Sequence, residues 1–447
     1  MSVVTTATNH PHGESVKGRQ MVSATIASVL GWSLDLYDLF VLLYVAPVLG
    51  QVFFPNNVPT LSLAAVYASF AVTLLMRPVG SAIFGSYADK HGRKGAMVFA
   101  VVGVGLSTAL FGLLPTVQQI GVAAPAIFLL LRLVQGIFVG GVVASTHTIG
   151  TESVPPKWRG LVSGLIGGGG AGFGSLFASI IYFIVSSAFP GHAFAVWGWR
   201  FMFFSGILSS ILGLFVFNSI EESPYWKELK HAQEKAGASQ EKTEKSPLKT
   251  VLSSKYFPVI LVNLMLVIGG GTGYYITSGY LPTFLKVINK TPSSASSMIL
   301  ILASFAAIIS AVAIGYFSDL IGRKKTFIII GIVNCILLPF CYLGLAKSVA
   351  LSSITLYAVV LAFLGNAGYA PILVFLNERF PTTIRSVGTG LSWNIGFAIG
   401  GMMPTFVSLA SRGVQSIPSV LSYFAVAVFV LYLIGSFVIP ETKGQFK

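Results

Sequence analysis

The sequence has little charge: Asp, Glu, Lys and Arg make up 9% of its 447 residues, whereas 54% of the residues are hydrophobic. Soluble globular domains carry about 25% charged residues, so this chain has too little polar surface to face water on all sides. The period-two alternation that is typical of strands is absent as well. The composition therefore excludes a soluble fold and predicts an all-α membrane protein.

Reactive side chains are scarce too. The chain has two cysteines, Cys335 and Cys341, and both fall in one apolar run, where they are expected to pack as small apolar groups. The sequence shows no cluster of metal-ligating residues, no nucleophile triad and no phosphate-binding glycine loop. It therefore argues against an enzyme and predicts neither a cofactor nor a metal site.

Long apolar runs are what the sequence has instead. A spanning helix needs about 20 apolar residues. Twelve runs meet this requirement: 21–49, 61–84, 96–115, 125–150, 160–188, 200–220, 257–285, 297–316, 326–346, 353–377, 387–410 and 419–439. The first twenty residues are polar and contain no cleavage-like site, so we expect a cytoplasmic tail and no removable signal peptide.

The basic residues indicate topology. A net charge of +14 would suit a nucleic-acid-binding protein if these residues formed one patch, but they are dispersed between the runs. With both termini in the cytoplasm, most of them lie on the inner side, and the outer side has only Arg200, Lys286, Lys290, Lys347 and Arg412. This asymmetry obeys the positive-inside rule. We expect cytoplasmic N and C termini, a multi-pass plasma (inner) membrane location and no nucleic-acid partner.

The chain contains an internal repeat. The loop after the second run reads GSYADKHGRKG from Gly85, and the loop after the eighth reads GYFSDLIGRKK from Gly315. A second set recurs at a similar spacing: Glu152, Arg159 and Gly164 against Glu378, Arg385 and Gly390. We therefore expect two six-helix bundles, 21–220 and 257–439. A polar cytoplasmic linker, 221–256, joins them, and residues 440–447 form a second cytoplasmic tail.

Several motifs resemble those of a known family. The repeated GxxxDxxGRK loops, RLVQGIFVGG, GWR at 198–200, EESPYW and PETKG at 440–444 resemble the major facilitator superfamily, in its sugar porter and metabolite:proton symporter branch. The resemblance implies two bundles related by an axis along the membrane normal, with a central site exposed alternately to either side. MRPVGSAIFGSYADKHGRK and GLSWNIGFAIGGMMP are most similar to symporters of carboxylates and osmolytes. Val142 stands where that group usually has an acid, so the substrate is not carried over.

Four charged residues fall deep within the runs: Asp35, Asp38, Arg77 and Arg132. Each costs about 2.5–3.5 kcal/mol at a helix centre, so we expect all four to face the interior and to pair. The two acids are three residues apart and share one helix face. Their depths predict the pairs Arg77–Asp35 and Arg132–Asp38, and the resemblance implies the second of these.

The internal repeat helps to separate function from packing. Ungapped alignment of the halves places neutral residues opposite the four charges, namely Gly270, Gly273, Ala307 and Ala358. Because the second half repeats the architecture without charge, we interpret the charges as groups that handle protons and substrate; helix packing alone is the alternative. In this hypothesis Asp38, supported by Asp35, carries the proton, and Arg132 and Arg77 bind an anionic substrate.

Neutral groups and a gate complete the candidate sites. The neutral groups lie on runs that line the cavity in the family that the chain resembles: Gln135, Tyr275, Trp393 and Asn394. Tyr275 is chosen over its neighbour Tyr274 because one helix face does not hold both. The gate lies at the cytoplasmic ends of the repeats, where acids sit at helix N-termini or pair with arginines across the bundles: Asp89, Arg93, Glu152, Arg159, Asp319, Arg323, Glu378 and Arg385.

Together these features predict a proton symporter that imports a small organic solute by alternating access. Two central arginines favour a carboxylate over a sugar. The alternatives are a transporter of a neutral sugar or polyol, phosphate uptake, efflux of an organic compound, and a sensor that transports nothing. The expected partners are the substrate, the proton and the lipid bilayer. The sequence has no oligomerisation signal, so we expect a monomer.

Overall fold

A computed structural model describes residues 18–91, 93–152, 154–218, 250–381 and 384–445. These residues form twelve long helices, one for each predicted run. In chain order they are α1 Gly18–Phe53, α2 Pro59–His91, α3 Arg93–Phe111, α4 Ala123–Glu152, α5 Arg159–Ala188, α6 Phe194–Phe215, α7 Phe257–Val287, α8 Ser293–Ile321, α9 Arg323–Lys347, α10 Leu351–Arg379, α11 Arg385–Ala410 and α12 Ile417–Val438. Most of the predicted linker lies outside the described residues.

Length and composition agree with a membrane protein. Ten helices in the described part of the chain are long and apolar enough to cross a bilayer. The two others, α3 and α11, have 19 and 26 residues. Since a helix rises 1.5 Å per residue, both are close to or above the length that a span needs. The twelve-helix prediction is confirmed.

Several helices are interrupted near the middle of the molecule. The chain widens into a π-helical turn at Leu165–Gly169 of α5 and again at Tyr275–Gly279 of α7. Helix α10 breaks after Tyr369 and resumes at Ile372, directly after Pro371, because proline has no N–H for the helix ladder. Such irregular turns are frequent at functional sites, and here they lie where the two bundles meet.

The two bundles meet along two lines of contact. In the first bundle, α4 packs on α1, α2 and α3, and α3 also packs on α6; in the second, α9 packs on α12 and α8 on α10. Between bundles, α2 packs on α11 and α5 packs on α8. Small residues bring α5 and α8 together: a Cβ on Gly315 would lie 2.6 Å from the Gly160 carbonyl oxygen. The helices therefore approach to backbone distance.

Contacts between the bundles are present at both ends. We call the end that carries Asp319 and Arg323 the inner end, which the charge distribution predicts to be cytoplasmic; there Trp158 stacks on Tyr316 with ring centroids 6.0 Å apart. At the opposite, outer end, the Tyr67 hydroxyl lies 2.8 Å from the Thr283 hydroxyl. The region between the two ends is enclosed.

Gly164 and Gly390, which the internal repeat relates, form a matched pair for testing the α5–α8 contact. A Cβ on Gly164 would lie 2.5 Å from the Ala311 carbonyl oxygen, whereas Gly390 has open space around it. Gly164→Ala is therefore expected to lower the melting temperature, since overpacking costs about 1–3 kcal/mol. Thermal unfolding of both variants in detergent measures this. A Gly164→Ala protein as stable as Gly390→Ala would contradict the close α5–α8 packing.

Candidate functional site

Asp35 and Arg77 form a buried ion pair between α1 and α2. Arg77 Nη2 lies 3.3 Å from Asp35 Oδ2, and the two residues are each 3% exposed. This is the pairing that the depth of the two residues predicts. The pairing is incomplete, because Asp35 Oδ1 and Arg77 Nε have no hydrogen-bond partner among the described residues. A buried charge pair with free polar atoms retains the capacity to bind a further polar group.

The Asp35–Arg77 pair lies at the boundary between the bundles. Tyr275 of α7 and Tyr369 of α10 both interact electrostatically with the pair. The indole N–H of Trp32, on the same helix as Asp35, donates a hydrogen bond to the Tyr369 hydroxyl at 3.2 Å. Helix α1, which carries Asp35, is thus hydrogen-bonded through Trp32 to an aromatic group of the second bundle.

The aromatic residues around the pair form one continuous group, which we call the central aromatic cluster: Trp32, Phe70, Tyr274, Tyr275, Tyr369, Trp393 and Phe397. The Trp393 ring stacks on that of Phe397 with centroids 4.0 Å apart. The hydroxyls of Tyr274 and Tyr275 and the Trp393 indole N–H have no hydrogen-bond partner among the described residues. The same is true of Asn394 Oδ1 on the next residue of α11. The cluster thus offers aromatic faces and free polar atoms at one place.

Tyr274 is a correction to the sequence analysis, which chose Tyr275 alone. Both tyrosines are buried in the cluster, at 2% and 1% exposure, and their rings contact each other with centroids 5.4 Å apart. The physical reason is the π-helical turn that begins at Tyr275. A π turn closes its hydrogen bond over five residues instead of four, so each residue rotates the helix by a smaller angle. The side chains of neighbouring residues such as Tyr274 and Tyr275 therefore point closer to the same side of the helix.

Asp38 has different partners from Asp35. It is 1% exposed, and its Oδ2 accepts a hydrogen bond from the Ser209 hydroxyl of α6 at 3.2 Å. Among the described residues its Oδ1 has no hydrogen-bond partner. Asp38 therefore points into the first bundle, whereas Asp35 points toward the second.

The expected direct pair of Arg132 with Asp38 is wrong. Arg132 is fully buried inside the first bundle, where its guanidinium lies 4.2 Å from the centroid of the Phe111 ring. Its Nη1 donates to Gln135 Oε1 at 2.5 Å, and Gln135 Nε2 donates to the Thr108 hydroxyl at 2.7 Å. The cation–π contact and the amide one helical turn away hold Arg132, so Gln135 and Thr108 separate it from Asp38.

Two functional candidates were missed by sequence reasoning and one is relocated. Gln135, expected in the wall of the central cavity, lies fully buried between α3 and α4. Ser209, which donates to Asp38, and Thr108, which accepts from Gln135, were not singled out. The sequence does not show which isolated hydroxyl in an apolar run has a functional partner, because serine and threonine commonly donate to backbone carbonyls of their own helix.

At the inner end, Arg323 is the centre of an ion-pair network. Its Nε and Nη2 donate to Glu378 at 3.2 and 3.0 Å, and its Nη1 lies 2.8 Å from Asp319 Oδ1. These three residues all belong to the second bundle, so Arg323 and Glu378 pair with each other inside one bundle, and the expected pairs across the bundles stay a prediction. The reason is geometric: α9 and α10 pack directly on each other.

Asp319 makes the contact that does cross between the bundles. Its two carboxylate oxygens accept from the backbone N–H groups of Gly160, at 3.1 Å, and Leu161, at 2.9 Å. These N–H groups belong to the first turn of α5, where a carboxylate is favoured by the helix dipole. The placement of Asp319 at a neighbouring helix N-terminus is as the sequence predicts.

Other gate candidates remain predictions. The side chains of four of them lie outside the described part of the structure: Asp89, Arg93, Glu152 and Arg385. Arg159 begins α5 and is partly buried.

The C-terminal segment adjoins this network. Glu441 accepts from the backbone N–H groups of Arg323 and Lys324 at 2.9 and 3.1 Å, and the Thr442 hydroxyl donates to Glu378 at 2.7 Å. Burial by itself would raise the pKa of Glu441, but backbone N–H donors, including those of Thr442 and Lys443, outweigh it and lower the pKa. Glu441 therefore caps the start of α9 as a carboxylate.

Comparisons with known proteins agree with this architecture. A family model described as "Sugar (and other) transporter" matches residues 23–446. The glycine betaine/proline/ectoine/pipecolic acid transporter OusA of Dickeya dadantii is 28% identical over 94% of this chain and 84% of its own length. The inner membrane metabolite transport protein YhjE of Escherichia coli is 29% identical over 94% of each chain. The proline/betaine transporter of Escherichia coli is 29% identical over 94% of this chain and 84% of its own length.

Solved structures share the fold. The xylose transporter XylE from Escherichia coli, in a partially occluded inward-open conformation, superposes with a TM-score of 0.72 at 20% identity over 95% of this chain and 99% of that one. The proton:xylose symporter XylE bound to 6-bromo-6-deoxy-D-glucose gives 0.73 at 19% identity, over 96% and 98%. These likenesses confirm the major facilitator fold, and at such identities they carry no information on substrate.

The Asp35–Arg77 pair is testable by a double-mutant cycle. Asp35→Asn and Arg77→Gln each leave one buried charge without its partner, so each is expected to destabilise the protein by about 3–5 kcal/mol. The double variant removes both charges and should be more stable than either single variant. Thermal unfolding in detergent at neutral pH measures the cycle. Additive losses in the double variant would contradict the pairing.

The Glu441 cap predicts a pH dependence. Because folding lowers the pKa of Glu441 from its ordinary value of 4.5, the cap stabilises the protein fully above that value and is lost as the pH falls through the lower folded value. Glu441→Gln should therefore be less stable than wild type at neutral pH, and the difference should shrink toward acid pH. Melting temperatures across this range measure the effect, and a difference that does not change with pH would contradict it.

Proposed function

The chain belongs to the sugar (and other) transporter family and is a membrane transporter rather than an enzyme; we propose that it imports a small organic solute bearing a carboxylate, together with protons. The chain is a multi-pass inner membrane protein, in agreement with the ten apolar helices in its described part and with the name of its relative YhjE. The observation that carries the proposal is the buried Asp35–Arg77 pair against the central aromatic cluster. Alternating access would open each end of the enclosed centre in turn.

Arg77 is the group that we assign to the carboxylate. A guanidinium binds a carboxylate through parallel N–H donors, and Arg77 Nε is free of a partner among the described residues. The helices that carry the pair reach the central aromatic cluster, since Trp32 of α1 donates to the Tyr369 hydroxyl and the Phe70 ring of α2 packs on that of Tyr275. Trp393 and Asn394 would supply neutral hydrogen bonds. Arg132 reaches substrate only if it leaves Gln135, so its role in substrate binding is secondary in this proposal.

Within the carboxylates, the cluster favours solutes that also carry a cationic nitrogen. Aromatic faces attract a cation within about 6 Å, and quaternary ammonium groups are recognised in this way. Proline, betaine, ectoine and pipecolic acid, which the names of two relatives mention, all combine a carboxylate with a cationic nitrogen. We therefore propose a zwitterion of this type, with its carboxylate at Arg77 and its nitrogen against the cluster.

The proton half of the cycle is assigned to Asp38, with Asp35 as the second acid. Asp38 is buried without a directly contacting cation and accepts a hydrogen bond from the Ser209 hydroxyl of α6. A carboxylate in such surroundings changes its protonation state when access to water or to an arginine changes. The Asp319 contact with Gly160 and Leu161, which joins the bundles, would have to break when the inner end opens.

Topology and domain limits complete the proposal. The asymmetry of lysine and arginine supports cytoplasmic N and C termini. The bundles are assigned to residues 21–220 and 257–439, with a cytoplasmic linker at 221–256. A monomer is the proposed unit.

A neutral sugar or polyol is the second candidate substrate. The observation that favours it is the set of neutral, unpartnered groups in the central aromatic cluster: the hydroxyls of Tyr274 and Tyr275 and the Trp393 indole N–H. Such groups suit sugar hydroxyls. In this alternative, Asp35 and Arg77 neutralise each other and touch no substrate.

Uptake into proteoliposomes decides between these proposals. With an inward proton gradient, glycine betaine or proline should accumulate. Succinate and benzoate test whether a carboxylate without a cationic nitrogen is transported, and xylose tests the neutral alternative. Accumulation should vanish with a proton ionophore. Asp38→Asn should lose accumulation and retain exchange of labelled for unlabelled solute. Xylose accumulation without that of any carboxylate would contradict the substrate class, and gradient-independent uptake would contradict proton coupling.

A further inference from the structure

We propose that a groove at the outer end of the first bundle binds an anionic phospholipid of the outer leaflet, with the lipid phosphate at Arg200. The groove has a volume of about 630 Å³ and is formed by the chain that follows α3 and by the start of α6. It lies apart from the Asp35–Arg77 pair and the central aromatic cluster. The inference therefore does not depend on the proposed substrate or on proton coupling.

Neighbouring contacts place the groove at the outer end and within the first bundle. Trp199, the residue before Arg200, packs on Phe53 at the end of α1, with ring centroids 5.5 Å apart. Helix α2 begins shortly afterwards, at Pro59, and carries Tyr67 of the outer-end contact. Helices α3 and α6 pack on each other and on other helices of their own bundle. The groove between them therefore opens toward lipid and not toward the boundary between the bundles.

Arg200 is held by backbone carbonyls and keeps donors for a ligand. Its Nη1 donates to the carbonyl oxygens of Gly112 and Leu114 at 2.7 and 2.9 Å, and its guanidinium lies 4.4 Å from the centroid of the Trp199 ring. Its Nε and Nη2 have no hydrogen-bond partner in the described part of the chain. These two nitrogens form one edge of the planar guanidinium, and such an edge binds phosphate oxygens through two parallel hydrogen bonds.

Gln119 adds a second donor to the groove. Its Oε1 accepts a hydrogen bond from the backbone N–H of Thr116 at 2.9 Å, which leaves the Nε2 amide group free to donate. The residues that line the groove in the described structure include no acid, and apart from Arg200 and Gln119 they are apolar. A phosphate in the groove would therefore meet a cation and an amide donor, and no negative charge would repel it.

The remaining wall of the groove suits an acyl chain. Trp197 and Phe201 are large apolar residues, yet they are 56% and 44% exposed. Trp197 belongs to the π-helical turn Phe194–Gly198 at the start of α6, and tryptophan is enriched at the level of the lipid headgroups. Gly112 lets the wall form, because a Cβ there would lie 2.6 Å from the Phe204 ring. The groove thus matches a molecule with an anionic head and a hydrocarbon tail.

The charge of Arg200 favours an anionic lipid over a zwitterionic one. The predicted outer side has few basic residues, so a half-buried arginine there departs from the positive-inside pattern. Basic pockets between membrane-spanning helices bind anionic headgroups. Phosphatidylglycerol offers one negative charge to Arg200, whereas phosphatidylethanolamine would also bring an ammonium group close to it. We therefore expect phosphatidylglycerol to bind more tightly.

Native mass spectrometry of the purified full-length protein measures lipid binding without any transport assay. Phosphatidylglycerol, phosphatidylethanolamine and diacylglycerol with the same acyl chains are titrated separately, and phosphatidylglycerol should bind most tightly. Arg200→Gln should weaken its binding by about tenfold or more, because charge-assisted hydrogen bonds to the phosphate are lost. Arg200→Lys keeps the charge and should bind it more tightly than Arg200→Gln does. Equal binding of phosphatidylglycerol and diacylglycerol to wild type would overturn the proposal.

A second variant tests the groove if Arg200→Gln does not fold. Gln119→Glu keeps an oxygen for the Thr116 N–H and places a negative charge beside Arg200, so it should weaken phosphatidylglycerol binding and leave diacylglycerol binding unchanged. Gln118→Glu adds the same charge at the neighbouring residue, which does not line the groove. Arg412→Gln removes an exposed cation of the predicted outer side. Both controls should bind phosphatidylglycerol as wild type does, and a loss in either that equals the loss in Gln119→Glu would overturn the proposal.

Other occupants of the groove are outcomes of the same measurement. An excess of inorganic phosphate should not displace phosphatidylglycerol, because free phosphate makes no contact with the apolar wall; displacement would assign the groove to a free anion and overturn the proposal. A wild-type dimer that is lost in Arg200→Gln would assign the groove to a second copy of the chain and overturn it too. Phosphatidylglycerol binding that is lost in Arg200→Gln and Gln119→Glu, and retained in both controls, is the expected result.

Discussion

The burial of charge inside a membrane-spanning bundle is the constraint on which this structure depends. Asp35, Asp38, Arg77 and Arg132 are each 3% exposed or less, and an isolated charge at that depth is costly. The helices are arranged so that each charge meets another charge, a hydroxyl, an amide or an aromatic face. Glycines let the helices that carry these groups pack closely; a Cβ on Gly140 of α4 would clash with the Arg77 carbonyl oxygen of α2.

Two acids on one face of one helix are given separate surroundings. Asp35 meets Arg77 and, beyond it, the tyrosines of the second bundle; Asp38 meets hydroxyls inside the first bundle. The separation arises because α1 packs on helices of its own bundle and also on α7. One helix turn thus joins the boundary between the bundles, where a solute would bind, to an interior where a proton would be held. Because the two acids are one helical turn apart, coupling of solute binding to proton binding would need no long chain of intervening residues.

The internal duplication is visible in the fold as two sets of six long helices. Gly164 and Gly390 correspond in the repeat; Gly164 is pressed against α8, whereas no described atom lies within 4 Å of a Cβ on Gly390. At the inner end, Asp319 crosses to the first bundle, while Arg323 and Glu378 stay within the second. Within the second half, the motif thus provides both a contact between the bundles and an ion-pair network inside one bundle.

The sequence by itself determined the spanning helices, the duplication, the family and the set of buried charges. Apolar length and charge are local properties that a bilayer selects directly. Depth along the helices also predicted the Arg77–Asp35 pair, and tertiary structure alone decided the other partners. Arg132 pairs with Gln135 and the Phe111 ring instead of Asp38, and Asp38 accepts from Ser209 of α6. These choices depend on side-chain directions and on helices distant in sequence, so no local pattern in the chain contains them.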